Sequence, residues 1–347
     1  MNAEIISTEW EAAPSESTTE DESESELRRV VVPPHLHGQR LDKCLAELIP
    51  EFSRSYLQQL LAQGDVIGQG RTGVKASAKV QAGQHIGVNL RPTLQAQSFK
   101  PEAVALDVVF EDDHVLVINK RAGLVVHPAA GNWTGTVLNG LLMHHTASAD
   151  LPRAGIVHRL DKDTSGLMMV GKTRQAVDVL GRQIAQRTVQ RYYLALAERL
   201  WRRGTDVVAV EQSIGRDPAN RLRMAVLRPD SASAKSATTW VRPLAPGPST
   251  VLLGCKLFTG RTHQIRVHLA WLGHPIVGDA TYGGHATAQL QRQALHATRL
   301  DFSHPATGQP LSFTAEVPDD MQQALLAEGL YYNHTLLGPA TFGLPLS

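Results

Sequence analysis

Apolar residues recur along this chain with two different spacings, and the change from one to the other divides it. Leu41, Cys44, Leu45 and Leu48 fall at i, i+3, i+4 and i+7, the buried stripe of a helix. Tyr56, Leu57, Leu60 and Leu61 make a second stripe, opened by Ser53 or Ser55 as a cap and stopped by Gly64. Short strands are expected at 65–67 and 84–88, and residues 91–100 read as a linker. Beyond it come β-like runs at 108–110 and 115–118 and a helix near 136–143. Ile156–Val157 and Leu167–Val170 read as two buried strands joined by a charged loop. A helix over 175–186 would bury Val177, Leu180 and Ile184, and strands dominate from Tyr192 to Leu257. A last helix runs from 262 to 272, capped by Thr262 and burying Ile265, Leu269 and Leu272. Long strand runs with interspersed helices predict an α+β fold with a mixed, largely antiparallel sheet, not a regular βαβ repeat. The expected division is a tail over 1–29, a small α/β module over 38–90, a main domain over 101–330 and a C-terminal tail over 331–347.

Charge changes this picture more than composition does. The formal net charge of +1 hides an asymmetry: residues 1–27 hold nine of the 33 acids and no base, which leaves 24 acids against 34 Lys and Arg. A body of about +10 suits a polyanion, and a Ser-, Thr- and Glu-rich tail reads as disordered. One expectation is that the tail competes with that polyanion for the basic surface. Cys44 and Cys255 form no metal-like or redox-like pair, no apolar run reaches the length of a membrane span, and the acidic start is no signal peptide. A cytoplasmic protein with no membrane partner is expected.

The loop after Val157 carries the chemistry. In the string His158-Arg-Leu-Asp-Lys-Asp-Thr-Ser-Gly166, Arg159 and Asp161 are two apart, so an extended chain points both to one side. This string resembles the signature of the RluA/RluD family of RNA pseudouridine synthases, and the resemblance implies that Asp161 is the catalytic residue. Ile118-Asn-Lys120 with Gly123-Leu-Val-Val-His-Pro128 resembles a second family motif, with Arg121 where the family has Pro. Arg191-Tyr-Tyr-Leu-Ala195 resembles the strand bearing the family's active-site tyrosine, which aligns with Tyr193. Thr259-Gly-Arg-Thr-His-Gln-Ile-Arg-Val-His-Leu269 resembles the late motif, whose matching arginine, Arg266, pairs with the catalytic Asp. Arg159 would fill the gap that the flipped base leaves in the RNA. Gly273-His-Pro-Ile-Val-Gly-Asp279, Tyr282-Gly-Gly284 and Arg292-Gln-Ala-Leu-His-Ala297 match further stretches. Gly38-Gln-Arg-Leu-Asp-Lys43, Ser53-Arg-Ser55 and Gly64-Asp-Val66 resemble the S4 RNA-binding domain, whose basic face would include Arg40, Lys43 and Arg54.

Pseudouridine formation breaks N1–C1′, turns the uracil and joins C5 to C1′. A carboxylate beside C1′ serves it either as a nucleophile or by taking a sugar proton, and the sequence leaves both routes open. The reaction changes no oxidation state and adds nothing, so neither cofactor nor metal is expected. His263 and His268 are five apart, off the spacing that lets two helical histidines share an ion. The implied substrate is 23S rRNA or a large-subunit precursor, handled by a monomer. Alternatives are other rRNA or tRNA sites, a non-catalytic ribosome-assembly factor, or a glycosidic hydrolase, for which Asp163 is the only nearby second carboxylate.

Overall fold

The computed structural model describes residues 26–68, 73–90, 98–129, 131–333 and 336–344. The expectations for residues 1–25 of the tail and 91–97 of the linker lie outside the described residues. The chain divides into two units, Met1–Gln97 and Ser98–Ser347.

In the first unit, strands β1 (Glu26–Val31), β2 (Val66–Gly68) and β3 (His85–Leu90) form an antiparallel sheet in the order β1-β3-β2. Helices α1 (Leu41–Leu48) and α2 (Arg54–Gln63) bury Leu41, Cys44, Leu45, Leu57 and Leu60 with Ile86 and Val88 of β3. Ser53 caps α2 by accepting the Tyr56 N–H, and Gly64 ends it in the left-handed region at φ 82°. Residues 26–29 correct the expected tail. They open β1, whose partners on β3 lie some sixty residues along the chain, a pairing that local composition does not encode.

The second unit is built on a nine-stranded mixed sheet. Its strands are β4 (Val108–Glu111), β5 (Val115–Lys120), β6 (Ser165–Gly171), β7 (Gln190–Glu198) and β8 (Val208–Val210), with β11 (Thr239–Pro246), β12 (Thr250–Leu257), β13 (Leu295–Ser303) and β14 (Pro310–Thr314). The order is β4-β5-β6-β13-β7-β12-β11-β8, with β14 on β13; β9 (Ile214–Arg216) and β10 (Met224–Val226) form a separate hairpin. Only the β6–β13 pairing in the large sheet is parallel among the described residues. Both faces are covered, so β5 reads as a continuous apolar run. Leu116 and Ile118 face a core shared with helix α3 (Val137–His144), while Val115 and Val117 face one shared with Leu180 of α4 (Arg174–Ala185). Fully burying a side chain such as Leu180 contributes about 1.5–3 kcal/mol.

Two further expectations are corrected here. Ile156–Val157 is not a strand: Ile156 makes an isolated bridge to Val170, and the chain enters it through Arg153, Ala154 and Gly155, all at positive φ. The C-terminal stretch is not simply a tail, because Leu337 and Phe342 pack on Tyr192 of β7.

Candidate active site

The loop between Ile156 and β6 is held from four sides, which is what lets an irregular segment carry a fixed side chain. Lys120 of β5, only 2% exposed, donates from Nζ to the carbonyls of Lys162 (2.9 Å), Arg121 (2.8 Å) and Leu124 (2.9 Å). Arg292 donates to the Asp163 carbonyl at 3.0 Å while clasping Asp320 through Nε and Nη2. The Gln293 amide reaches Thr164 Oγ1 at 3.3 Å. His158 Nε2 accepts the Met169 N–H at 3.1 Å. At the loop's exit, Gly166 (φ 113°) pairs with Ala297 so closely that a Cβ would lie 2.3 Å from the Ala297 carbonyl oxygen. Glycine is required there by both backbone angle and space.

Asp161 projects from this loop toward helix α5 (Gln264–Trp271). Arg266 Nη1 donates to Asp161 Oδ2 at 3.1 Å, and Nε and Nη2 of the same guanidinium grip Asp279 at 2.7 and 2.8 Å. The Tyr282 ring lies 5.1 Å from the guanidinium carbon. Burial works against the Arg266 charge, but the Asp279 and Asp161 carboxylates outweigh it and raise its pKa. Thus Asp161, its side chain 17% exposed, is presented to solvent by an arginine whose Nε and Nη2 are already held by Asp279. Tyr282 Oη also accepts the Met224 N–H and bonds to His263 Nδ1 at 2.8 Å.

The helix start differs from expectation. Its N-cap is His263 in the left-handed region, and Thr262 is exposed and makes no cap. The Gln264 side chain ties down the preceding loop instead, accepting the Arg261 N–H at 3.0 Å and the Thr259 hydroxyl at 2.7 Å. His268 bonds to Thr239 and to the Gln212 carbonyl.

A cavity of about 730 Å³ opens on Asp161, and Arg159, Tyr193 and Arg266 line it as well. Tyr193, in β7, is 4% exposed, and burial pushes its phenol above the usual pKa. Arg153, Arg187 and Arg261, all exposed, surround the opening with Arg159. The structure therefore brings four of the seven residues singled out in the sequence to one cavity. The other three, Arg40, Lys43 and Arg54, belong to the first unit. Arg40 and Arg54 there are half-exposed and share the fully buried Asp42, which Gln58 also contacts; Arg40, opposed by burial but aided by Arg54 and Gln58, holds its carboxyl well below the usual range. Only Lys43 of the three has no such tie. Asp279, Lys120 and Arg292 lay within or beside the matched stretches, but sequence reasoning gave none of them a role.

Comparison with known proteins agrees with this architecture. Residues 114–271 match the family model described as RNA pseudouridylate synthase. The chain is 47% identical over 319 residues to the ribosomal large subunit pseudouridine synthase D of Neisseria meningitidis serogroup A, covering 87% of this chain and 82% of that one. It is 45% identical over 326 residues to the protein of the same name from Nitrosomonas europaea, covering 92% of each. Among solved structures, human RNA pseudouridylate synthase domain containing 4 aligns with a TM-score of 0.50 at 23% identity, over 65% of this chain and 94% of that one, a likeness of fold. With an Asp–Arg pair in an arginine-rimmed cavity and relatives of this closeness over most of its length, the chain belongs to the RluA/RluD family of RNA pseudouridine synthases.

Proposed function

We propose that this enzyme isomerises uridines of 23S rRNA in the large ribosomal subunit or its precursor, with Asp161 acting at C1′ of a nucleotide flipped into the cavity. The observation that carries the reading is the Asp161–Arg266–Asp279 chain opening on that cavity. A carboxylate held by a guanidinium keeps one rotamer, as attack on C1′ or removal of a sugar proton requires. Tyr193 lines the cavity where it can stack on the uracil and assist loss of the C5 proton. Arg159, exposed at the opening, takes the place of the extruded base. The names of the relatives, which specify the large subunit, support the choice of RNA. An S4-like first unit, with Lys43 and the outward parts of Arg40 and Arg54, would grip the RNA, and the enzyme would work as a monomer in the cytoplasm alongside the ribosome.

The test is pseudouridine mapping on a 23S rRNA transcript and on large subunits from cells lacking the enzyme, with wild type and Asp161→Ala. New pseudouridines are expected with wild type alone, since removing a nucleophile can lower a rate by on the order of a millionfold. Binding by both proteins without modification by either would favour an assembly factor. Modification of tRNA but not 23S rRNA would move the substrate elsewhere.

A further inference from the structure

Arg191 is a buried cation with no counter-charge bound to it among the described residues. It lies in β7 two residues before Tyr193, so both side chains emerge on the same face, and both line the cavity. It is 6% exposed, its Nε is fully buried without a hydrogen-bond partner, and none of its nitrogens donates to a protein group among the described residues. Gly260 leaves space beside it, since a Cβ there would come within 3.0 Å of Nη1. A guanidinium taken out of water without a counter-charge is strongly unfavourable, so its persistence points to a ligand that supplies acceptors.

His158 makes the same demand from the neighbouring wall. Its Nε2 is occupied as the acceptor of the Met169 N–H, which leaves the ring proton on Nδ1. That Nδ1 is buried and unbonded, on a residue that lines the same cavity. Burial, with the Arg191 charge adding to it, pushes the His158 pKa down to about 3, so the ring is neutral and Nδ1–H is a donor.

Depth separates two kinds of acceptor. Arg153, Arg159, Arg187 and Arg261 are exposed around the opening, where they would meet backbone phosphates. Arg191 and His158 Nδ1–H lie below them, within reach of an inserted base. We propose that Arg191 and His158 bind the carbonyl oxygens of the uracil and stabilise the negative charge it acquires when it leaves the sugar. When N1–C1′ breaks, the bonding pair goes to the uracil and spreads over N1, O2 and O4. Either C1′ bonds to Asp161, a bond that breaks as C5 attacks, or C2′ gives a proton to Asp161 to leave a C1′=C2′ double bond and takes it back as C5 bonds. The turned base then bonds through C5 to C1′, C5 loses its proton, and N1 gains one, so the product is an isomer. A fixed cation in a water-poor pocket favours the charge-separated step most. The inference rests on the uridine-isomerising reading of the cavity.

The experiment is single-turnover tritium release from a 23S rRNA transcript labelled at uridine C5, with wild type, Arg191→Met and Arg191→Lys. Expected for Arg191→Met is a rate lower by about 100- to 1,000-fold, the range for losing one donor to a developing anion. RNA affinity should stay within twofold with an unchanged salt slope, and thermal stability should not fall, because an unpaired buried charge has been removed. Arg191→Lys should recover part of the rate. A rate within threefold of wild type overturns the proposal. So does weakened binding with a shallower salt slope, which marks a phosphate contact. Tight binding by wild type without tritium release overturns the isomerase reading itself, and the role of Arg191 with it.

Discussion

Asp279→Asn isolates what holds Arg266 against Asp161. The substitution keeps the shape of the side chain and removes its charge. Asp279 receives Arg266 Nε and Nη2 at 2.7 and 2.8 Å, with its side chain 1% exposed. Asparagine offers a single acceptor oxygen there and turns its NH2 toward a guanidinium N–H, so one charge-assisted bond becomes a donor–donor contact. Removing one partner of a buried ion pair costs about 3–5 kcal/mol. Arg266 keeps Asp161 and the Tyr282 ring, which points to the lower end of that range. In a unit the size of Ser98–Ser347, each kcal/mol moves the midpoint by roughly 2–4 °C, so a loss of about 3 kcal/mol lowers Tm by about 6–12 °C. Arg266 then has a looser hold on Asp161, and a displacement of about 1 Å at a reacting group can lower the rate about 100-fold. Calorimetry and single-turnover pseudouridine formation on the same preparations would measure both. A Tm within about 2 °C of wild type together with a rate within twofold would refute the reasoning and make Asp279 a bystander.

Tyr193→Phe should leave the fold intact and slow single-turnover formation about 100-fold if the phenol handles the C5 proton; tritium release at the wild-type rate would reduce Tyr193 to a stacking surface. Gly166→Ala places a Cβ 2.3 Å from the Ala297 carbonyl oxygen, and the second unit is expected to lose its cooperative thermal transition, so a wild-type melt would contradict the register of β6 on β13. His296 is fully buried between Ser165 and the Ala315 carbonyl, and burial pushes its pKa down to about 4. Because this folded-state value lies below the unfolded one, the unfolded chain binds the extra proton between about pH 6.5 and 4. Stability is then complete above that window and lost as pH falls through it, by on the order of 2 kcal/mol from His296 alone between pH 7 and 5. An unchanged urea midpoint over that interval would rule this out.

The α-helices were legible because their stripes are local. Leu41, Cys44 and Leu45 needed only the 3.6-residue period, and Ser53 and Gly64 closed α2 by chemistry within four residues of its ends. The pairing of Asp161 with Arg266 spans 105 positions and was readable only through motif resemblance, since no spacing rule relates a loop to a distant helix. Asp279 was invisible in a different way: a lone carboxylate in a turn has no period, and its role appears only when Arg266 arrives beside it. The same limit hid Asp42, which ties up part of Arg40 and Arg54, and misassigned Thr262, since the helix starts at a left-handed His263 with no side-chain cap. Ile156–Val157 misled because an apolar pair resembles a strand until the three positive-φ residues before it are known.

The order of strands has a consequence for how this enzyme comes into being. β13 lies between β6 and β7, yet it is made roughly a hundred residues after them. Until Leu295–Ser303 leaves the ribosome, those two strands have unsatisfied edges, the kind of surface that recruits wrong partners. Gly166, Asp163 and Thr164 also wait for Ala297, Arg292 and Gln293, so the loop carrying Asp161 lacks these holds in a shorter nascent chain. Synthesis thus sets a clock on the site: the Asp161 loop is completed in one late closure of the sheet, with few competent intermediates before it.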